Sequence, residues 1–572
     1  MKPVRLPASA TNALPRWGLF ALCLIYILSG LFGRDPWKTD DAAGFGVMWT
    51  MANGGLDDWL WPHIVGLPMA DEGPLAYWIG AVCIKLFGWL LGDALAARIA
   101  TAGFFLLGSL SVWYATYQLG RRPEAQPLRL AFGGQPEPRD FGRTLADGAL
   151  LIFLGCLGLL LHSHYTSAKA LHVSLVALAL YAAVRLFEKE TLRAAAGFGA
   201  VLGLLVLTRG WVVPTALWLA IAVLAGLRSK ALMARTAVVS LVVAVAISEI
   251  WLATNYFVRP FNSSPFDAWM LWNHRQISLP SVESIRYFTK NVIWFAWPAW
   301  PYAGWAVYAW RKQYRAIHIA VPLAFAATFI VLALINGRPD EGILLPLLPP
   351  LAILAAFGLP TMKRGAINAV DWFSVMTLTT CAAFIWLGWI AKQTGWPAKL
   401  AKNAFKLAPG FKPEFSLVMF LVAACTTIGW ILLVHWRVSR RPAVLWRAVV
   451  LSSGGVILCW VLLTTLWLPW VNYGKSYSGV ALQISEALPE GGACVESNVG
   501  PAQRASFAYF GNIPFADFDD IDCDLLLLQD DNRRQDSAKR LIRADEQWRL
   551  LWEGRRASDR HERFRLYQKV KR

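Results

Sequence analysis

Hydrophobic residues run through this chain in long blocks, with charge confined to the gaps between them. The blocks are about 18 to 22 residues long, enough for a helix to cross a hydrocarbon layer of about 30 Å. The first lies at 17–32. After two apolar stretches at 74–91 and 96–119, the blocks continue at 147–163, 170–187, 195–208, 211–227, 237–258, 290–309, 318–335, 343–362, 371–391, 415–435 and 448–468. In lipid every backbone polar group must be satisfied within the chain, so these blocks predict helices.

The polar gaps orient the bundle. Bases cluster at Lys2/Arg5/Arg16, Arg121/Arg122/Arg129, Arg228/Lys230/Arg235, Arg311/Lys312/Arg315, Lys363/Arg364 and Arg437/Arg440/Arg441. Cytoplasmic loops are enriched in Lys and Arg, so all six clusters are expected on one inner face. Of 74–91 and 96–119 only one can then cross, and Lys85 marks the former as interfacial or re-entrant. The expectation is about thirteen spans in an inner membrane, with the N-terminus cytoplasmic and the last hundred residues periplasmic. No small-residue cleavage site follows the first block, which reads as a retained span.

Composition supports this class. Hydrophobic residues make up 56% of the 572, with 30 Trp and only 16% charged residues, which excludes an ordinary soluble domain. The net charge of +18 is accounted for by the short inner loops, so it signals topology and no nucleic-acid partner. After Pro469 the chain becomes charged. Short apolar strands at 493–497 and 523–529, helices at 501–510 and 533–545, and a strand pair at 548–553 and 563–569 predict a small α/β domain. The expected fold is an all-α polytopic membrane protein, residues 1–470, with a C-terminal soluble periplasmic α/β domain, residues 471–572. Within it, Cys494 and Cys523 leave two readings open, a disulfide in an oxidising compartment or two buried thiols.

Candidate chemistry concentrates in the first outer loop, 34–95. Its stretch 34–73 carries Asp35, Asp40, Asp41, Asp57, Asp58, Asp71 and Glu72 against Arg34 and Lys38, in a strongly basic chain. Asp40 and Asp41 follow the first span, and Glu72 precedes the next apolar stretch. Acids anchored at two such points can converge on one pocket, as a general base or as hard oxygen ligands for a divalent cation. Outward-facing bases at Arg209, Lys169, Arg275, Arg338 and Lys85 are candidates to bind a lipid phosphate, whose leaving-group charge they would stabilise. Each of them can instead snorkel to headgroups. His162 and His164, at a span end, read as interfacial polar residues.

These residues resemble a known family. Asp40-Asp41, Asp58-Trp59-Leu60 with Pro62, and Glu72 with Pro74-Leu75 and Tyr77-Trp78 are similar to the first periplasmic loop of the GT-C polyprenyl-phosphate-sugar glycosyltransferases. That superfamily holds the protein O-mannosyltransferases and the 4-amino-4-deoxy-L-arabinose lipid A transferase branch, and the span count with an outer C-terminal domain resembles the latter. Leu207-Thr208-Arg209-Gly210 and Leu344-Leu345-Pro346 extend the likeness. Gly73 stands where the family has lysine, Lys169 where aspartate is usual, and Ile343 where a tyrosine precedes Leu-Pro.

The resemblance implies transfer of a sugar from an undecaprenyl-phosphate carrier to a periplasm-facing acceptor, such as lipid A, an envelope glycan or a protein. Inversion at the anomeric carbon would follow from attack on the opposite face. It implies Asp40, with Asp41, as catalytic acids. Glu72 would position the phosphate, with a divalent metal (Mg, Mn or Zn) shared with His274. No nucleotide cofactor is expected, and no glycine-rich phosphate loop is seen. Two rivals are a flippase of lipid-linked sugar, which would place charge at mid-bilayer, and an inactive relative that only binds polyprenyl phosphate.

Overall fold

The computed structural model describes residues 4–12, 14–69, 71–131, 133–258, 264–337, 340–439, 445–489, 494–516, 523–530, 547–559 and 561–570. Each apolar block is helical. Among the described residues nine helices are long and apolar enough to cross a membrane, including Asp93–Gly120, Ala168–Lys189, Lys230–Phe257 and Ile317–Ile335. Three shorter apolar helices, Leu75–Leu91, Leu192–Val206 and Val212–Gly226, pack among them.

Two expected spans are broken. The block at 147–163 is a helix Pro138–Leu154 followed by a short Leu157–His162, and 290–309 is split into Val282–Phe295 and Ala299–Ala309 by Trp297-Pro298. A proline lacks the amide a helix interior needs, so it serves here as the N-cap of a new helix. The segment before the helix Pro138–Leu154 packs on the N-terminal segment, with the Leu128 amide donating to the Val4 carbonyl at 2.8 Å.

A hairpin of β1 (His63–Ile64) and β2 (Leu67–Pro68) follows the helix Asp40–Asn53. Near the C-terminus, β3 (Val495–Ser497), β4 (Leu525–Asp530), β5 (Trp548–Gly554) and β6 (Arg563–Lys569) form a sheet in the order β3-β4-β6-β5. Only β3 and β4 run parallel. The unbroken Leu run of β4 is explained by burial on both faces. Leu525 and Leu527 pack with the helices Ser478–Ala487 and Pro501–Gly511, while Leu526 and Leu528 meet Trp548 and Tyr567. Cys494 and Cys523 form a disulfide between β3 and β4, with Cα atoms 5.4 Å apart. The helix expected at 533–545 lies outside the described residues.

This C-terminal unit braces the acidic loop. Helix Pro501–Gly511 packs against Asp40–Asn53. From it, the buried Arg504 donates from Nε to the Ile64 and Val65 carbonyls at 3.1 and 2.9 Å, and from Nη2 to that of Ala516 at 2.7 Å. A buried guanidinium needs its donors matched, and backbone carbonyls match them here.

Candidate active site

Asp40 and Asp41 open the helix Asp40–Asn53, where two acids in the first turn complement the dipole. Successive residues point about 100° apart on a helix, so the two carboxylates cannot share a role. Asp41 turns inward. Its side chain is fully buried against that of Arg34, 3.2 Å away. It accepts from the Trp37 amide at 3.1 Å, the Thr166 amide at 2.8 Å and the Thr166 hydroxyl at 2.9 Å. One turn on, a Cβ at Gly44 would stand 1.9 Å from the Thr166 carbonyl, so the 163–167 loop rests directly on this helix.

Asp41 thus locks the loop that precedes helix Ala168–Lys189, and with it Lys169. Breaking one partner of a buried ion pair costs about 3–5 kcal/mol. Asp41→Asn is therefore expected to lower the melting temperature in detergent markedly. An unchanged melt with lost turnover would return Asp41 to a catalytic role.

Asp40 turns the other way, with its side chain 40% exposed, and accepts from Lys169 Nζ at 2.7 Å. Lys169 also lies 3.2 Å from Asp340. On the far side, Gly73 fixes Glu72. A Cβ at Gly73 would stand 2.1 Å from the Leu207 carbonyl, so no side chain fits there. The Gly73 and Leu75 amides donate to the Thr208 and Leu207 carbonyls at 2.9 and 3.1 Å. That close approach sets Glu72 beside Arg209. Glu72 is buried, accepts a hydrogen bond from the Tyr77 hydroxyl, and lies 3.9 Å from Arg209 Nε.

Burial pushes the Glu72 carboxyl up to about 7, against the opposing pull of Arg209 and Lys169. For Asp340, partial burial is outweighed by Arg209 and Lys169, which hold its carboxyl below the usual range. Arg209 stacks on Trp272 at 5.5 Å, and its buried Nε has no hydrogen-bond partner among the described residues.

These groups surround one cavity of about 500 Å³. Asp40, Glu72, Lys169, Arg209 and Arg275, singled out from sequence, all line it. So do Asp71, Asp340, Tyr77, His172 and Trp272, which were not chosen. Asp340 was visible in the charged segment 336–342. His172, inside an apolar block, and Trp272, in the segment between the blocks 237–258 and 290–309, carried no signal.

Other candidates fall elsewhere. Asp41 does not line the cavity. Lys85 lies with its Nζ over the Trp59 ring at 5.5 Å, and His274 meets the edge of Trp211 at 5.7 Å. Neither lines the cavity, and Arg338 lies outside the described residues. His162 and His164 are buried against protein, with His164 Nε2 2.9 Å from the Tyr26 carbonyl.

The donor set does not fit the expected metal. Among the described residues no group of three or more His, Cys, Asp or Glu side chains converges. Asp40, Asp340 and Glu72 each face a Lys or Arg at the position a cation ligand would leave open. His274 does not join Glu72 in the cavity lining.

A helical membrane bundle with a carboxylate and guanidinium cavity at the ends of its helices has the fold of a solved membrane glycosyltransferase, ArnT. The chain resembles, within that class, the 4-amino-4-deoxy-L-arabinose transferase branch. It superposes on the crystal structure of ArnT from Cupriavidus metallidurans bound to undecaprenyl phosphate with a TM-score of 0.67, at 15% identity, over 96% of this chain and 97% of that one. Against the apo state of the same protein the TM-score is 0.65, at 16% identity and the same coverage. In sequence it is 27% identical over 389 residues to undecaprenyl phosphate-alpha-4-amino-4-deoxy-L-arabinose arabinosyl transferase 2 of Pseudomonas fluorescens. That match takes in 65% of this chain and 60% of the relative's length. No protein-family model matches the chain.

Proposed function

We propose that the protein is an inner-membrane glycosyltransferase that moves a sugar, of the 4-amino-4-deoxy-pentose class, from undecaprenyl phosphate to a lipid acceptor such as lipid A. The observation that carries this is Arg209, which stacks on Trp272 and lines a cavity that also holds Asp40, Lys169 and Arg275. A carrier phosphate supplies an anion for this set of cations. The C-terminal unit faces the periplasm, supported by its disulfide and by the basic clusters of the opposite loops. A glycan or protein acceptor would use the same cavity.

In this reading the acceptor oxygen attacks the anomeric carbon, and the bond from that carbon to the phosphate oxygen breaks. Undecaprenyl phosphate leaves with the electron pair. Where the acceptor is a hydroxyl, Asp40 takes its proton. Where it is a phosphate, already ionised, Asp40 holds Lys169 toward it. Arg209 and Arg275 meet the charge that grows on the leaving phosphate. Attack opposite the leaving group inverts the centre. Each step uses side chains of this chain alone.

The test is transfer in detergent, where vectorial movement by a flippase has no meaning. Purified protein with undecaprenyl-phosphate-linked aminoarabinose and lipid A should add one sugar mass to lipid A. No product under any acceptor would leave the inactive relative standing. The same assay carries a pH signature. As pH rises through about 7, Glu72 ionises and sets a negative charge beside the phosphate. Donor affinity should therefore fall from pH 6 to pH 8, by roughly fivefold for an interaction of about 1 kcal/mol. Glu72→Gln should flatten this slope.

A further inference from the structure

The segment between the spans Arg364–Thr394 and Leu417–Ser439 breaks the charge rule that orients the rest of the chain. It holds Lys399, Lys402, Lys406 and Lys412, after Lys392 in the last turn of the first span, with no acid before Glu414. It nonetheless lies on the same side as the cavity. Trp470 Nε1 donates to the Ala404 carbonyl at 3.4 Å and the Tyr473 hydroxyl to that of Pro409 at 2.7 Å. Between them in sequence, Asn472 donates to the Gly33 carbonyl at 2.8 Å and accepts from Trp37 Nε1 at 2.8 Å, three residues before Asp40. On an outward face, positive-inside bias leaves these lysines unexplained.

We propose that the helix Ala398–Leu407 is a docking surface for anionic phospholipid headgroups in the leaflet that borders the cavity. Lys399, Lys402 and Lys406 fall at i, i+3 and i+7, one stripe spanning about 10 Å. All three are exposed, and none has a carboxylate partner among the described residues. Ala401 and Ala408 are buried on the protein side. Flanking the stripe, Trp396, Leu400, Leu407 and Phe415 are exposed.

That apolar flank decides between a lipid and a soluble anion. The adjoining spans present Phe384, Ile390, Val418 and Leu421 outward, so hydrocarbon abuts the helix and sets its lysines at headgroup level. A soluble anion would need the lysines without the exposed apolar side chains. The location in the outer leaflet rests on the orientation proposed above.

The test uses the full chain in nanodiscs of phosphatidylcholine with a minority of phosphatidylglycerol, counting the lipids retained on release by native mass spectrometry. Wild type should enrich phosphatidylglycerol by about fivefold per lysine at low salt, and lose the enrichment at high salt. Lys399→Gln/Lys402→Gln/Lys406→Gln should return it to the bulk ratio, and Lys402→Glu, which leaves one net positive charge on the stripe, should fall between the two. Melting temperatures should match wild type, since these side chains are exposed. Equal enrichment in the triple variant overturns the proposal, as does full displacement by glycerol phosphate. So does an Asn403→Cys thiol that a membrane-impermeant maleimide reaches only after cell lysis, because the lysines would then obey cytoplasmic bias. Sugar transfer is read separately, and its absence leaves the lipid count unaffected.

Discussion

Asp40→Asn is expected to cut sugar-transfer turnover by about 10²–10⁴-fold, the range a positioned general base supplies, with the melting temperature unchanged. The two halves of this expectation come from the same geometry. Asp40 is 40% exposed and holds one ion pair, to Lys169. When its charge goes, Lys169 keeps Asp340 at 3.2 Å, so no buried cation is stranded. Exposed pairs contribute about 0–1 kcal/mol, too little to unfold the bundle. Turnover measured on a phosphate acceptor should fall less than on a hydroxyl acceptor, because the former has no proton to lose. A variant with wild-type turnover on both would remove Asp40 from the chemistry.

The contrast with Asp41 shows what the sequence can and cannot convey. Two adjacent acids before an apolar stretch announce a site, but which of them faces it depends on where the 163–167 loop lands, more than 120 residues later in the chain. Burial against Arg34 is likewise a tertiary fact. Lys169 and Arg209 were legible because a base at a span end is expensive without a partner. Asp340 was legible as charge in a short loop but not as the second partner of Lys169, since nothing local pairs them. The separation of Glu72 from His274 was hidden on the same ground: both are in outer loops, and only the fold reveals that Arg209 lies beside Glu72 while His274 packs on Trp211. The membrane helices were read in place because lipid forces the backbone to satisfy itself locally, although Lys230–Val258 and Arg364–Thr394 begin seven residues before the predicted blocks. The broken blocks near Cys156 and Pro298 escaped notice because hydropathy averages over a single bend.

Arg209→Ala should lose about 10²–10³-fold in the rate of transfer, the cost of removing one preorganised donor to developing charge, and should weaken undecaprenyl phosphate binding in parallel. Arg209→Lys should recover little of either. The guanidinium lines the cavity, held by its stack on Trp272 and by Glu72, and an ammonium on a flexible stem reproduces neither contact. The loss should be larger above pH 7 than below it. At high pH Glu72 is ionised, and without Arg209 its charge meets the carrier phosphate with nothing between them; at low pH the carboxyl is neutral and the repulsion vanishes. Single-turnover rates and direct binding of undecaprenyl phosphate at pH 6 and pH 8 separate these effects. If Arg209→Ala binds the carrier as tightly as wild type at both, the phosphate sits elsewhere in the cavity, and Arg275 becomes the cation to test.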